Sequence, residues 1–99
     1  GAIMLVDAAG TLAGLFTDSD LARLFEARQN GAFDEPVARV MTRTPVVVGP
    51  ADRVGDALDL LRARKISELP VVDADGRPVG MIDITDLIGL APAGSAVEP

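Results

Sequence analysis

Gly14-Leu15-Phe16-Thr17-Asp18-Ser19-Asp20-Leu21 is a short apolar run that gives way to a Thr, to an Asp three residues later, and then to an amphipathic segment. That order predicts a buried strand running straight into a helix. Thr-x-x-Asp is a capping arrangement: the hydroxyl accepts from a backbone N–H of the first turn, and the carboxylate sits where the helix dipole favours negative charge. The same shape returns 66 positions later as Gly80-Met81-Ile82-Asp83-Ile84-Thr85-Asp86-Leu87. A helix N-terminus also offers unpaired N–H groups to an anion. The two junctions are therefore read as paired candidate ligand seats.

Working outward, the likeness extends beyond the junctions. Residues 3–25 laid on 69–91 share eight identities in 23 ungapped positions, among them Asp7 with Asp73, Gly10 with Gly76, Gly14 with Gly80 and Asp20 with Asp86. An internal repeat of this kind decides the fold. Each unit reads as strand, turn, strand, helix. Ile3–Val6 and Leu12–Phe16 form the first hairpin, with Gly10 at a left-handed position. A helix follows from Asp18 to about Arg28, with Leu21, Leu24 and Phe25 on one face. A polar loop covers residues 29–35, Pro36 opens a short helical turn, and Val37, Val40 and Met41 make a small apolar patch.

The second unit has a lead-in. Pro45–Val48 is read as a brief strand. Asp52 is the expected N-cap of a helix from Arg53 to about Lys65, with Val54, Ala57, Leu58 and Leu61 on its apolar face. Leu69–Val72 and Pro78–Ile82 form the second hairpin, and the last helix runs from Ile84 to about Leu90. The tail is expected to fray. By the repeat offset the first unit's own lead-in falls before Gly1, so the chain reads as a piece cut from a longer protein. The expected division is 1–35 for the back half of one unit and its linker, 36–91 for a complete unit, and 92–99 for a flexible tail.

Composition closes off several functions. Ninety-nine residues suit one domain, and the 48% of apolar residues include three Phe and no Trp or Tyr, so the core is thin and aliphatic. With no Cys and no His, disulfides, a zinc site and the commonest general base are excluded. A net charge of −6 argues against a nucleic-acid surface. Arg62, Arg64 and Lys65 suit the last turn of a helix, where cations complement the dipole. No apolar run reaches transmembrane length and no signal pattern opens the chain, which points to a cytoplasmic protein away from membranes. Asp73-Ala74-Asp75-Gly76 lacks the later ligands of a calcium loop, having Ile84 at the twelfth position. No catalytic set is present, and no metal or required cofactor is expected.

On the Gly14–Asp20 stretch, on Val40-Met41-Thr42-Arg43-Thr44-Pro45 and on Ile66-Ser67-Glu68-Leu69-Pro70-Val71-Val72-Asp73, the chain resembles the CBS domain pair, or Bateman module. The resemblance implies an α/β (α+β) fold: a β-α-β-β-α unit with a small mixed sheet and flanking helices, preceded by the β-β-α back half of another. Gly14–Arg28 and Arg64–Leu90 look more specifically like the C-terminal pair of KpsF/GutQ-type D-arabinose-5-phosphate isomerases. That likeness implies a regulatory module attached to a sugar-isomerase (SIS) domain. The parent would interconvert D-ribulose 5-phosphate and D-arabinose 5-phosphate on the way to Kdo and lipopolysaccharide. The implied regulatory ligand is AMP or ATP, or CMP-Kdo by pathway logic. The implied assembly is a homodimer through the helices. The alternatives are a ligand-free dimerisation module, or the CBS pair of a transporter or a nucleotide dehydrogenase.

The family pattern Gly-x-x-Thr-x-x-Asp is matched by Gly14, Thr17 and Asp20, which the resemblance assigns to phosphate and ribose. The second junction keeps Asp86 but carries Asp83 in place of Thr, and its charge opposes a phosphate. Val46, Ile66 and Pro70 are the candidates for flanking a base. The walls of the first seat are expected from residues before Gly1, which would leave that seat incomplete here.

Overall fold

A computed structural model describes residues 1–28 and 30–88. β1 (Ala2–Val6) pairs antiparallel with β2 (Leu12–Thr17), and β2 leads into α1 (Asp18–Glu26). Two short 3₁₀ turns follow, at Asn30–Asp34 and Val37–Arg39. Then come α2 (Val54–Arg64), an antiparallel hairpin of β3 (Glu68–Val72) and β4 (Pro78–Asp83), and α3 (Ile84–Ile88). Apart from the strand expected over Pro45–Val48, the predicted order of elements is observed. The expected continuation of the last helix to Leu90 and the fraying of 92–99 lie outside the described residues.

The repeat is visible in the backbone. The Asp7 Oδ1 atom accepts from the N–H groups of Ala9 and Thr11, both at 2.9 Å. Asp73 Oδ1 does the same for Asp75 and Arg77, at 2.9 and 3.0 Å. Each carboxylate thereby closes its own hairpin turn. Gly10 and Gly76 take φ of +85° and +80°, a region closed to most side chains. Each hairpin slips register at the matching place, between Leu5 and Val6 and between Val71 and Val72. The turns also meet: the Leu12 N–H donates to the Gly76 carbonyl at 2.9 Å.

The linker ties the hairpins together by single bridges. Thr42 and Leu15 exchange backbone hydrogen bonds of 2.9 and 2.8 Å in antiparallel sense. Val48 pairs with Val71 in parallel, through bonds of 3.1 Å to the Pro70 carbonyl and 2.9 Å from the Val72 N–H. The strand expected over Pro45–Val48 is therefore reduced to one bridge at Val48. Proline supplies no N–H at its start, and Gly49-Pro50 turns the chain at its end.

The helix α2 begins one residue later than expected. Its N-cap is Arg53, without a side-chain cap, because Asp52 is already engaged: its carboxylate accepts the Gly49 N–H at 2.7 Å. At the other end Lys65 caps in the left-handed region at φ 54°. Ala57 and Leu61 bury against Val48 and Leu69, and Leu58, Leu60, Ile66, Val71, Ile82 and Ile84 pack around them. Val54, placed on the apolar face by its spacing, is instead 55% exposed.

Among the described residues the first unit has no helix equivalent to α2, and its packing is correspondingly thin. In α1 the one buried residue is Asp20, while Leu21 and Phe25 of the expected apolar face are 37% and 61% exposed. Phe25 finds a partner in Phe33, with ring centroids 5.3 Å apart, and Phe33 lies in a 3₁₀ turn that occupies part of the expected polar loop.

Leu61→Ala is expected to cost about 2–5 kcal/mol, since it opens a cavity against Val48 and Leu69. Val54→Ala, on the same helix, should stay within about 0.5 kcal/mol. Urea unfolding of both variants checks this, and equal losses would show that the core lies elsewhere.

Candidate functional site

Thr17 ends β2 in extended backbone and caps α1. Its hydroxyl accepts the Asp20 N–H at 3.2 Å, and the Asp20 carboxylate accepts the Thr17 N–H at 2.8 Å, so both halves of a capping box are made. Asp20 does more than cap. Only 5% exposed, it takes the Thr42 hydroxyl at 3.2 Å on Oδ1, has the Thr17 hydroxyl 3.1 Å from Oδ2, and forms an ion pair with the Arg23 guanidinium. A buried carboxylate requires such partners, because its desolvation is otherwise uncompensated.

Thr42 reaches Asp20 because the linker lies across β2, where the Met41 side chain packs on Gly14. A Cβ at position 14 would fall 2.4 Å from the Met41 sulfur. Gly80, its repeat partner, has nothing closer than Val71 at 4.0 Å. In this structure, then, Gly14 leaves room for the Met41 side chain.

The result is a cleft of about 190 Å³ between the units. Thr17, Asp20 and Arg23 line it from the first unit, with Thr42, Pro45, Ile66 and Ser67 from the linker and second unit. Lys65 and Glu68 also line it. Within the described residues, the walls facing the Thr17–Asp20 junction come from the linker and the second unit. The Thr42–Leu15 bridge and the contact between hairpin turns set the units against each other, so the first junction faces the second unit.

The wall residues shift accordingly. Ile66 lines the cleft as expected. Val46 packs against the α2 core instead, and its neighbour Pro45 takes the cleft position. In an extended segment successive side chains point to opposite faces, and the sequence pattern left the parity open. Pro70 is fully buried beneath the Val48 bridge and does not reach the cleft. Thr42, Pro45, Arg23 and Lys65 were not among the site residues read from the sequence. Arg23 carried one usable signal, its spacing three residues after Asp20 on the same helix face.

The second junction is built differently. The Asp83 carboxylate accepts from the Thr85 N–H at 2.9 Å and the Thr85 hydroxyl at 2.7 Å. The exposed Asp86 accepts the Asp83 N–H at 3.1 Å. The Thr85 donors hold the Asp83 carboxyl below its ordinary range. Applying the repeat offset, the positions equivalent to Thr42 and Pro45 for this seat fall outside residues 1–99. Among the described residues no group of three or more His, Cys, Asp or Glu could hold a metal, and no helix is long and apolar enough to cross a membrane.

Residues 37–92 match the CBS domain family. The chain is 42% identical over 85 residues to inosine-5′-monophosphate dehydrogenase of Mycobacterium leprae, covering 85% of this chain and 15% of that protein. It is 36% identical over 86 residues to arabinose 5-phosphate isomerase GutQ of Salmonella typhi, covering 87% and 26%. The chain thus spans about a quarter or less of these relatives. Among solved structures, CBSX2 in complex with AMP superposes with a TM-score of 0.75 at 33% identity, covering 91% of this chain and 70% of that one. The CBS domain pair of protein MJ0100, in complex with 5′-methylthioadenosine and S-adenosyl-L-methionine, gives 0.77 at 26% identity, covering 90% and 68%.

Gly14→Ala is expected to destabilise by about 1–3 kcal/mol through overpacking against Met41, whereas Gly80→Ala should be neutral. In a Met41→Ala background the Gly14→Ala cost should vanish, and a double-mutant cycle measures the coupling. For Asp83 the depressed folded pKa means that its stabilising contribution is present above the unfolded value, about 3.9, and is lost as pH falls through the folded value. Asp83→Asn should therefore flatten the acid-side fall in stability below about pH 4, as read by thermal melts across that range.

Proposed function

The chain belongs to the CBS domain family, and on that premise we propose that it is a non-catalytic sensing module that takes the adenosine portion of a nucleotide in the Thr17–Asp20 cleft. The observation that carries this reading is the cleft itself, where a capped helix start from one unit meets the Pro45 and Ile66 wall of the other. The start of α1 and the hydroxyls of Thr17 and Ser19 suit a phosphate. Asp20 suits a ribose diol, since a carboxylate accepts from two hydroxyls. Pro45 and Ile66 offer apolar surface to a base. At about 190 Å³ the cleft encloses part of a nucleotide and leaves the remainder at the surface. The AMP, 5′-methylthioadenosine and S-adenosylmethionine of the superposed structures share this adenosine core and support the reading.

The parent we propose is a D-arabinose-5-phosphate isomerase whose SIS domain this module regulates in the cytoplasm. The isomerase relatives support it, and the dehydrogenase relatives make inosine-monophosphate dehydrogenase the alternative. AMP and ATP are the ligands proposed, and CMP-Kdo, the activated sugar of the isomerase's pathway, belongs in the same titration. The second junction, with Asp83 opposing a phosphate, is proposed to stay without a phosphorylated ligand. A dimerisation role is the second reading. Exposed Leu21, Phe25, Phe33 and Val37 favour it, since they are large apolar side chains on or near α1.

Calorimetry against AMP, ATP and CMP-Kdo tests the leading reading. Wild type should bind AMP saturably, Asp20→Asn should weaken it by at least about tenfold, as expected for losing hydrogen bonds to a charged group, and Asp86→Asn should leave it unchanged. Absence of saturable adenine-nucleotide binding, or equal loss in both variants, overturns it. Sedimentation of Phe25→Asp then decides the dimer reading.

A further inference from the structure

The partners of Asp20 differ in what holds them. Thr17 is fixed at the end of β2 and within the capping box, and Thr42 is fixed by its backbone bridge to Leu15. Arg23 is held by neither: its side chain is 66% exposed on a long flexible stem, yet it pairs with Oδ1 of a carboxylate buried in the cleft. A ribose diol approaching Asp20 competes for lone pairs already in use, about four on the two oxygens. Displacing Thr17 would uncap α1, and displacing Thr42 would strain the linker crossing. Arg23 is the one partner that can leave without breaking the fold.

We propose that Arg23 is an anion-reading latch, closed on Asp20 in the empty cleft and transferred to the ligand's 5′ group when a ribose takes Asp20. The inference rests on the adenosine-binding reading above and adds a ligand class to it: adenosine ligands with a 5′-phosphate over those with a neutral thioether or a cationic sulfonium. A phosphate gives the released guanidinium a planar, bidentate partner. A thioether gives it none, and a sulfonium repels it. Lys65, which also lines the cleft and makes no ion pair among the described residues, adds to the same preference. The two cations face two carboxylates, Asp20 and Glu68, so net field does little. The selection comes from the exchange of partners.

The experiment is calorimetry of wild type, Arg23→Gln and Arg23→Lys against AMP, 5′-methylthioadenosine and S-adenosylmethionine, with thermal unfolding to confirm that each variant is folded. Wild type should bind AMP at least about tenfold tighter than the thioether, and the sulfonium more weakly still. Arg23→Gln should lose about tenfold for AMP while the thioether is unchanged or tighter, and Arg23→Lys should fall between. Equal weakening of AMP and thioether in Arg23→Gln, or a wild type that prefers thioether or sulfonium, overturns the latch and leaves the adenosine site standing. A wild type that binds none of the three overturns both.

Discussion

The Asp20 carboxylate is the point on which the two halves of this protein depend. It closes the capping box of α1, receives the hydroxyl of the linker Thr42, and neutralises Arg23. Buried to 5% exposure, it would be a costly group to leave unpaired. Thr17 and Arg23 belong to the same cap and helix as Asp20, while Thr42 comes from the linker, so satisfying the carboxylate fixes where the linker lies against α1. The geometry that makes it a good structural node also makes it a candidate ligand group: the carboxylate lines the cleft between the units while its cap holds it in place.

Stability is unevenly shared. The second unit has α2 to cover its hairpin, and the buried cluster of Val48, Ala57, Leu61 and Leu69 lies there. The first hairpin contributes Leu15, the bridge to Thr42 and the hydrogen bond from Leu12 to Gly76, and its helix leaves Phe25 against Phe33 with much of both rings exposed. The first unit is therefore positioned largely by polar and backbone contacts to the linker and second unit. Such contacts net roughly 1 kcal/mol each, less than a buried leucine contributes.

Much was legible in residues 1–99. The repeat placed both hairpins, because Asp7-Ala8-Ala9-Gly10 and Asp73-Ala74-Asp75-Gly76 specify local turn geometry that needs no distant partner. The Thr17/Asp20 cap was readable for the same reason. Less legible were Pro45 and Val46, whose facing depends on the parity of an extended segment, and Asp52, whose carboxylate a preceding Gly49 N–H captured ahead of the helix. The exposure of Val54 and Phe25 was also hidden, since spacing shows which residues share a face but not whether anything covers it.

The sequence by itself determined the paired β-β-α units, their turns, the Thr17/Asp20 cap of α1 and the aliphatic core around α2, because these follow from interactions within about ten residues or from side-chain periodicity. Only the tertiary structure decided that the first junction faces the second unit, that the Met41 side chain lies against Gly14, and that Arg23 and Thr42 share one carboxylate. The physical reason is that these depend on how a linker without regular structure crosses β2. That path is set by two single-residue bridges, at Thr42 and Val48, which no local pattern announces.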